Sequence, residues 1–347
     1  MNSSFTQPPM DSFSTFEHLL IEAHKEGWLT EKMRATLARF FHSYLEAARE
    51  SMTSAAILDW FKTLLRLLHQ QTRSPYTFQP YHERIRSPFD HYKFGTDFLR
   101  PLVDKARSKV VGHDHLKHIQ TLLAQGENVI FLANHQIEAD PQALSILLDD
   151  HYPGFAEKII FVAGERVTTD LFAVPFSMGR NLLCIYSKRY IGHPPEKKVE
   201  KQLHNKRTME LMSLLLKEGG KVIYVAPSGG RDRRNKQGVV EVASFDPGSI
   251  ELFYLMAQKA GTPTHFYPMS LVTYDVLPPP ETIQIELGEE RHTDRAPIHL
   301  AIGPTLNMVE FPGSDQIDKQ ARRQARAHYI WNEVNSRYQK LLEGVLQ

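Results

Sequence analysis

A single cysteine, Cys184, in 347 residues leaves this chain without an intramolecular disulfide. That excludes a small disulfide-stapled scaffold and fits a reducing compartment. Cys184 lies in Leu182-Leu183-Cys184-Ile185-Tyr186, a buried-strand pattern in which a thiol serves as a small apolar side chain. Long apolar runs are also lacking. None approaches the roughly 20 residues of a membrane span, and Met1 to Asp11 is polar, with no apolar signal core. We therefore expect a soluble, intracellular chain with no integral membrane association. An excess of one charge is missing too: 41 Lys and Arg face 40 Asp and Glu, a net charge of +1. Overall charge thus gives no reason to expect a nucleic-acid partner. The histidines lack the spacing of metal ligands, so no metal and no cofactor are expected. No repeat or low-complexity tract occurs.

What is present is ordinary globular composition, 41% apolar and 23% charged, in a chain long enough to bury a large core. Met33, Leu37, Phe40, Phe41, Tyr44 and Leu45 recur at helical spacing, as do Ile57, Leu58, Phe61, Leu64, Leu65 and Leu68. A weaker helical stretch covers Phe13 to His24. Pro75 and Pro80 then break the pattern, placing a small helical domain at 1–75 and a larger α/β domain at 76–347. In the second part a helical segment over 96–125 precedes a strand at 128–133. Further strand-like runs cover 158–163, 182–186, 221–226, 264–274, 282–287 and 298–302. Helical runs fall at 197–218, 248–260 and 314–344. This alternation predicts a mixed, mostly buried sheet flanked by helices.

Chemistry concentrates in three places. In Asn134-His135-Gln136-Ile137-Glu138-Ala139-Asp140-Pro141, a histidine and an aspartate are held between a buried strand and a helix. Asp140 before Pro141 also reads as a plain helix N-cap, and His135 alone as a structural histidine. In Pro175-Phe176-Ser177-Met178-Gly179-Arg180, Gly179 would let backbone approach a ligand, while Arg180 binds an anion or satisfies surface carboxylates. In Ala226-Pro227-Ser228-Gly229-Gly230-Arg231-Asp232-Arg233-Arg234, a strand end is followed by two glycines and three arginines, which suits a phosphate. Its bland reading is a solvated turn. Ala226 to Gly230 also approximates the Gly-x-Ser-x-Gly elbow of serine hydrolases, with Ser228 as nucleophile. A basic stretch runs from Lys188 and Arg189 to Arg207. Much of it, Lys198 and Lys201 included, reads as an exposed helix face, while Lys188 and Arg189 follow a strand end where ligands gather.

The His-x4-Asp spacing is that of glycerolipid acyltransferases. Together with Val-Ala-Gly-Glu-Arg-Val, Pro-Phe-Ser-Met-Gly-Arg-Asn-Leu-Leu-Cys-Ile-Tyr-Ser-Lys, Ala-Pro-Ser-Gly-Gly-Arg-Asp-Arg and Tyr267-Pro268-Met269, the chain resembles the soluble glycerol-3-phosphate 1-O-acyltransferases of chloroplasts and chlamydia-like bacteria. The likeness covers most of 80–310. It implies an N-terminal helical domain beside a larger α/β domain. It implies transfer of a fatty acyl group from acyl-[acyl-carrier-protein], or acyl-CoA, to the sn-1 hydroxyl of glycerol 3-phosphate, the first step of phospholipid synthesis. His135 and Asp140 become the catalytic pair, and Arg231, Arg233, Lys188 and Arg189 the phosphate ligands. Plant members carry a Lys-His pair where this chain has Arg189 and Tyr190: the charge is kept and the imidazole is not. The compartment would be a bacterial cytoplasm or a plastid stroma. Gly229 and Gly230 are candidate oxyanion amides. Two other classes stay open, a hydrolase or thioesterase using Ser228 and a non-catalytic phosphate-metabolite binding module.

Overall fold

The computed structural model describes residues 11–187, 191–280 and 290–345. Among these described residues ten strands run β1 (Tyr81–His82), β2 (Lys109–Val111), β3 (Asn128–Ala133), β4 (Ile160–Gly164), β5 (Asn181–Ile185), β6 (Val222–Val225), β7 (Arg233–Arg234), β8 (Val240–Glu241), β9 (Thr264–Val272) and β10 (His299–Ile302). Twelve helices accompany them: α1 (Ser12–Lys25), α2 (Glu31–Ala48), α3 (Ser54–Arg73), α4 (His91–Leu99), α5 (His113–Ala124), α6 (Asp140–Leu148), α7 (Phe155–Lys158), α8 (Glu165–Thr169), α9 (Val174–Ser177), α10 (Lys198–Glu218), α11 (Pro247–Ala260) and α12 (Lys319–Leu342).

Eight strands form one sheet in the order β1-β5-β4-β6-β3-β9-β10-β2, and β7 pairs β8 in a separate hairpin. β1 lies antiparallel to β5 and β10 antiparallel to β9, while the other neighbours in the large sheet are parallel. β3 sits between β6 and β9, so three parallel strands end side by side beneath the loop that carries His135. The sheet is mixed and covered on both faces, as expected. Alternation along β3 sends Val129, Phe131 and Ala133 into one core and Ile130 and Leu132 into the other. All six β3 residues are buried, which is why the strand reads as a continuous apolar run.

Helices α1 to α3 begin at side-chain caps from Asp11, Thr30 and Thr53. They pack around Phe61, whose ring meets those of Phe16, Phe40, Phe41, Tyr44 and Phe98. Phe98 belongs to α4, and the Tyr44 hydroxyl donates to its carbonyl at 2.5 Å. The helical layer therefore shares its core with the α/β layer. Among the described residues no helix is long and apolar enough to cross a membrane.

The expected helix over 96–125 is instead the end of α4, strand β2 and helix α5. Pro101 closes the first part in a short 3-10 turn, and Gly112, at φ 91°, turns the chain where a Cβ would collide with the Ile302 carbonyl. The last helix starts at Lys319 rather than 314, because Asp318 caps it through the Ala321 N–H at 2.8 Å. The strand-like run 282–287 lies outside the described residues.

Candidate active site

The loop from β3 to α6 leaves the sheet at its centre, outside the carboxyl ends of β6, β3 and β9, where ligands of such sheets gather. His135 Nδ1 lies 2.7 Å from Asp140 Oδ2. The same oxygen accepts the Gln136 N–H at 2.8 Å and the Ile137 N–H at 3.4 Å, and Oδ1 accepts the Thr273 hydroxyl at 2.6 Å. An oxygen already surrounded by donors acts as acceptor, so Nδ1 carries the hydrogen and Nε2 the free lone pair. The carboxylate is 1% exposed while the imidazole keeps 28%: a fixed partner and an accessible base. The capping role expected of Asp140 is not what the structure shows. Ala139 is the N-cap residue of α6, with no side-chain cap, and Asp140 turns its carboxylate back toward the loop.

Residues without a sequence-assigned role hold this pair in place. Asn134 donates to Asp232 and to the Leu271 carbonyl, and accepts the Leu271 N–H at 2.7 Å. Gln136 accepts the N–H groups of Thr273 and Tyr274 and donates to Asp232 at 3.2 Å. Tyr224 donates its hydroxyl to the Asn134 carbonyl at 2.6 Å, and burial holds that phenol well above its ordinary range. Asp232 closes the arrangement, since its N–H donates to the His135 carbonyl at 2.7 Å.

Asp232 is fully buried, with its carboxyl pushed up to about 6. Burial is the main cause, opposed by the Ala243 N–H, by Asn134 and Gln136, and by nearby His135. The folded state thus binds this proton more tightly than the unfolded chain, whose ordinary value is 3.8. Its stabilising effect is present below about pH 4 and lost as pH rises to about 6. The stability of the parent relative to Asp232→Asn should therefore fall across that window and level above it, in urea unfolding at a series of pH values. A difference independent of pH would show that Asp232 titrates normally.

Arg231 and Arg233 flank buried Asp232 in the chain. Arg231 approaches Glu138 of the His135 loop at 3.9 Å, and Arg233 donates to the Pro280 carbonyl. Arg291, unmarked in the sequence, meets Glu138 at 2.8 Å. Burial alone would raise the Glu138 carboxyl, but Arg291, Arg231 and Arg166 together hold it below its ordinary range. Lys188 and Arg189 lie outside the described residues.

Several readings from sequence need correction. Gly179 brings backbone close to His91 and Tyr92 of α4, where a Cβ would clash, so its close approach serves packing. Arg180 is buried, not a surface residue: it donates to Ser145 and Thr96 and lies 4.4 Å over the Tyr92 ring. Burial lowers its guanidinium to about 10. Lys201 is 4% exposed, held by Glu165 and the His193 carbonyl, so it does not belong to an exposed helix face. Ser228 donates to the Gly230 carbonyl at 2.8 Å, and a hairpin rather than a helix follows it, which removes the elbow geometry. The Gly229 N–H is taken by the Ala226 carbonyl.

An Acyltransferase family model matches residues 107–272, a span that holds the His135 loop and Asp232. The chain is 35% identical to "Glycerol-3-phosphate acyltransferase, chloroplastic" of Arabidopsis thaliana over 92% of its length and 70% of the relative's. It is likewise 35% identical to the Spinacia oleracea protein of that name over 95% of its length and 71% of the relative's. The solved 1-acyl-sn-glycerophosphate (LPA) acyltransferase of Thermotoga maritima aligns with 72% of this chain and 78% of its own, at 20% identity and a TM-score of 0.38, too loosely to carry an argument. By its sequence relationships this chain belongs to the glycerol-3-phosphate acyltransferase family.

Proposed function

We propose that the chain transfers a fatty acyl group from a thioester to the sn-1 hydroxyl of glycerol 3-phosphate, giving 1-acylglycerol 3-phosphate. The observation that carries this reading is the 2.7 Å contact between His135 Nδ1 and Asp140 Oδ2, beside a loop bearing Arg231 and Arg233. His135 Nε2 takes the proton of the acceptor hydroxyl as its oxygen attacks the thioester carbonyl carbon. A C–O bond forms, the C–S bond breaks, and the same proton passes to the leaving thiolate. No acyl-enzyme forms. Asp140 stabilises the transient imidazolium. Arg231 and Arg233, with Lys188 and Arg189, hold the phosphate and so place the hydroxyl, turning binding energy into orientation.

We assign acyl-[acyl-carrier-protein] as the donor, with acyl-CoA as a substitute, and an aqueous compartment, bacterial cytoplasm or plastid stroma. Carrier proteins are acidic as a class, and Lys198, Lys206 and Arg207 of α10 are exposed cations that complement them. Incubation with labelled glycerol 3-phosphate and each thioester tests the reaction: acylated product supports it, whereas free fatty acid alone or no reaction overturns it. In the same assay Arg231→Ala and Arg233→Ala should each raise KM for glycerol 3-phosphate by about 10-fold or more, the worth of a hydrogen bond to a charged group, with donor KM little changed. Equal losses for both substrates would remove the phosphate assignment. The carrier-protein reaction should also slow as salt rises and as Lys198 and Lys206 are reversed in charge. Insensitivity to both would place the donor elsewhere.

A further inference from the structure

Arg291 reaches the His135 loop from far along the chain. Its guanidinium lies 2.8 Å from Glu138 and 3.6 Å from Asp170, and 5.1 Å over the Phe172 ring, with 8% of the side chain exposed. Arg231 contacts the same Glu138 carboxylate more loosely, at 3.9 Å, and Arg166 adds a third positive charge acting on it. Glu138 is therefore the point of the His135 loop at which Arg291 and Arg231 compete. The segment that delivers Arg291 is fastened to α2. The Thr293 N–H donates to Ser43 Oγ at 3.2 Å, and the two buried hydroxyls pair at 3.2 Å.

We propose that Arg291 is a positioning residue for the acceptor: it satisfies Glu138 so that Arg231 can turn to the phosphate of glycerol 3-phosphate. The inference rests on the phosphate role assigned to Arg231 above. A half-buried carboxylate stripped of its cation is costly, and it takes the nearest guanidinium available. With Arg291 bound tightly to Glu138, the carboxylate keeps a cation when Arg231 turns to the incoming dianion. Without Arg291, Glu138 claims Arg231 and the phosphate must compete for it. Arg291 touches neither the hydroxyl nor the thioester in this scheme, so its loss acts on acceptor binding rather than on the chemical step.

The test compares the parent, Arg291→Gln and Arg291→Lys in full steady-state kinetics with both substrates, alongside calorimetric titration with glycerol 3-phosphate. Arg291→Gln should raise acceptor KM and Kd by about 10-fold or more, the scale of one lost charge-assisted hydrogen bond, with donor KM and kcat within about twofold. Arg291→Lys keeps the charge and loses the planar fork, so its acceptor KM should fall between the other two. Unchanged acceptor KM, or equal rises for both substrates, overturns the proposal. If Arg291→Gln does not fold, the lysine variant decides alone, through the same acceptor-selective rise or its absence. A parent enzyme that fails to acylate glycerol 3-phosphate overturns the functional reading itself, a result separable from the behaviour of the variants.

Discussion

Replacing His135 by alanine should lower kcat by roughly 10²–10⁴-fold, the range a positioned general base supplies. The fold should survive, because the imidazole anchors little. The Asp232 N–H is taken by the His135 backbone carbonyl, which alanine retains, and the ring itself is partly exposed. Asp140 would lose one donor and keep Gln136, Ile137 and Thr273. Acceptor and donor KM should change far less than kcat, since the ring acts when the proton moves. Turnover near that of the parent, with the thermal midpoint unchanged, would show that another group takes the proton.

Asp140→Asn should cost about 10²–10³-fold in kcat, comparable to losing one preorganised electrostatic partner, and less than the loss of the histidine. Oδ2 sits among three N–H groups, whereas Oδ1 meets a hydroxyl that can rotate to accept. The asparagine oxygen is therefore forced into the Oδ2 position, and its NH2 faces Thr273. That orientation keeps the histidine tautomer and removes only the charge that favours the imidazolium. A histidine NMR spectrum unchanged in tautomer, together with reduced kcat, is the expected pairing. Loss of the Nδ1–H tautomer would show that the amide had turned round, and the kinetic cost should then equal that of His135→Ala.

The central strands were legible because both faces are buried. Asn128–Ala133 is expected and found at the same boundaries, its apolar run serving two cores at once. The edge strands were not. Tyr81–His82 and Lys109–Val111 are too short to show a period, and each exists only through a distant partner, Leu182–Leu183 or His299–Ala301. The site divides in the same way. His135 and Asp140 share one loop, so their spacing is visible, whereas Thr273 lies 133 residues from Asp140 and Arg291 lies 153 from Glu138. Asp232 stood inside a recognised block, yet its burial between two arginines depends on where β6 meets β3. Arginine identity says nothing of depth either: Arg231 edges the site, Arg180 is enclosed in the core and Arg234 is half exposed.

The fastening of the His135 loop to β9 and to the Asp232 segment alters how that loop exchanges with solvent. Surface loops ordinarily open locally and swap amide hydrogens early. Here the Gln136 N–H is held by Asp140, and the N–H groups of Leu271, Thr273 and Asp232 are held by Asn134, Gln136 and His135. Freeing all four means parting the His135 loop from β9 and from the Asp232 segment. In deuterium exchange these four amides should report global unfolding, with protection equal to that of β3, while the amide of exposed Gly230 exchanges many orders faster. Rapid exchange at Gln136 would mean that the loop opens independently of the sheet. On the expected outcome, the loop of His135 belongs to the most slowly opening part of the molecule.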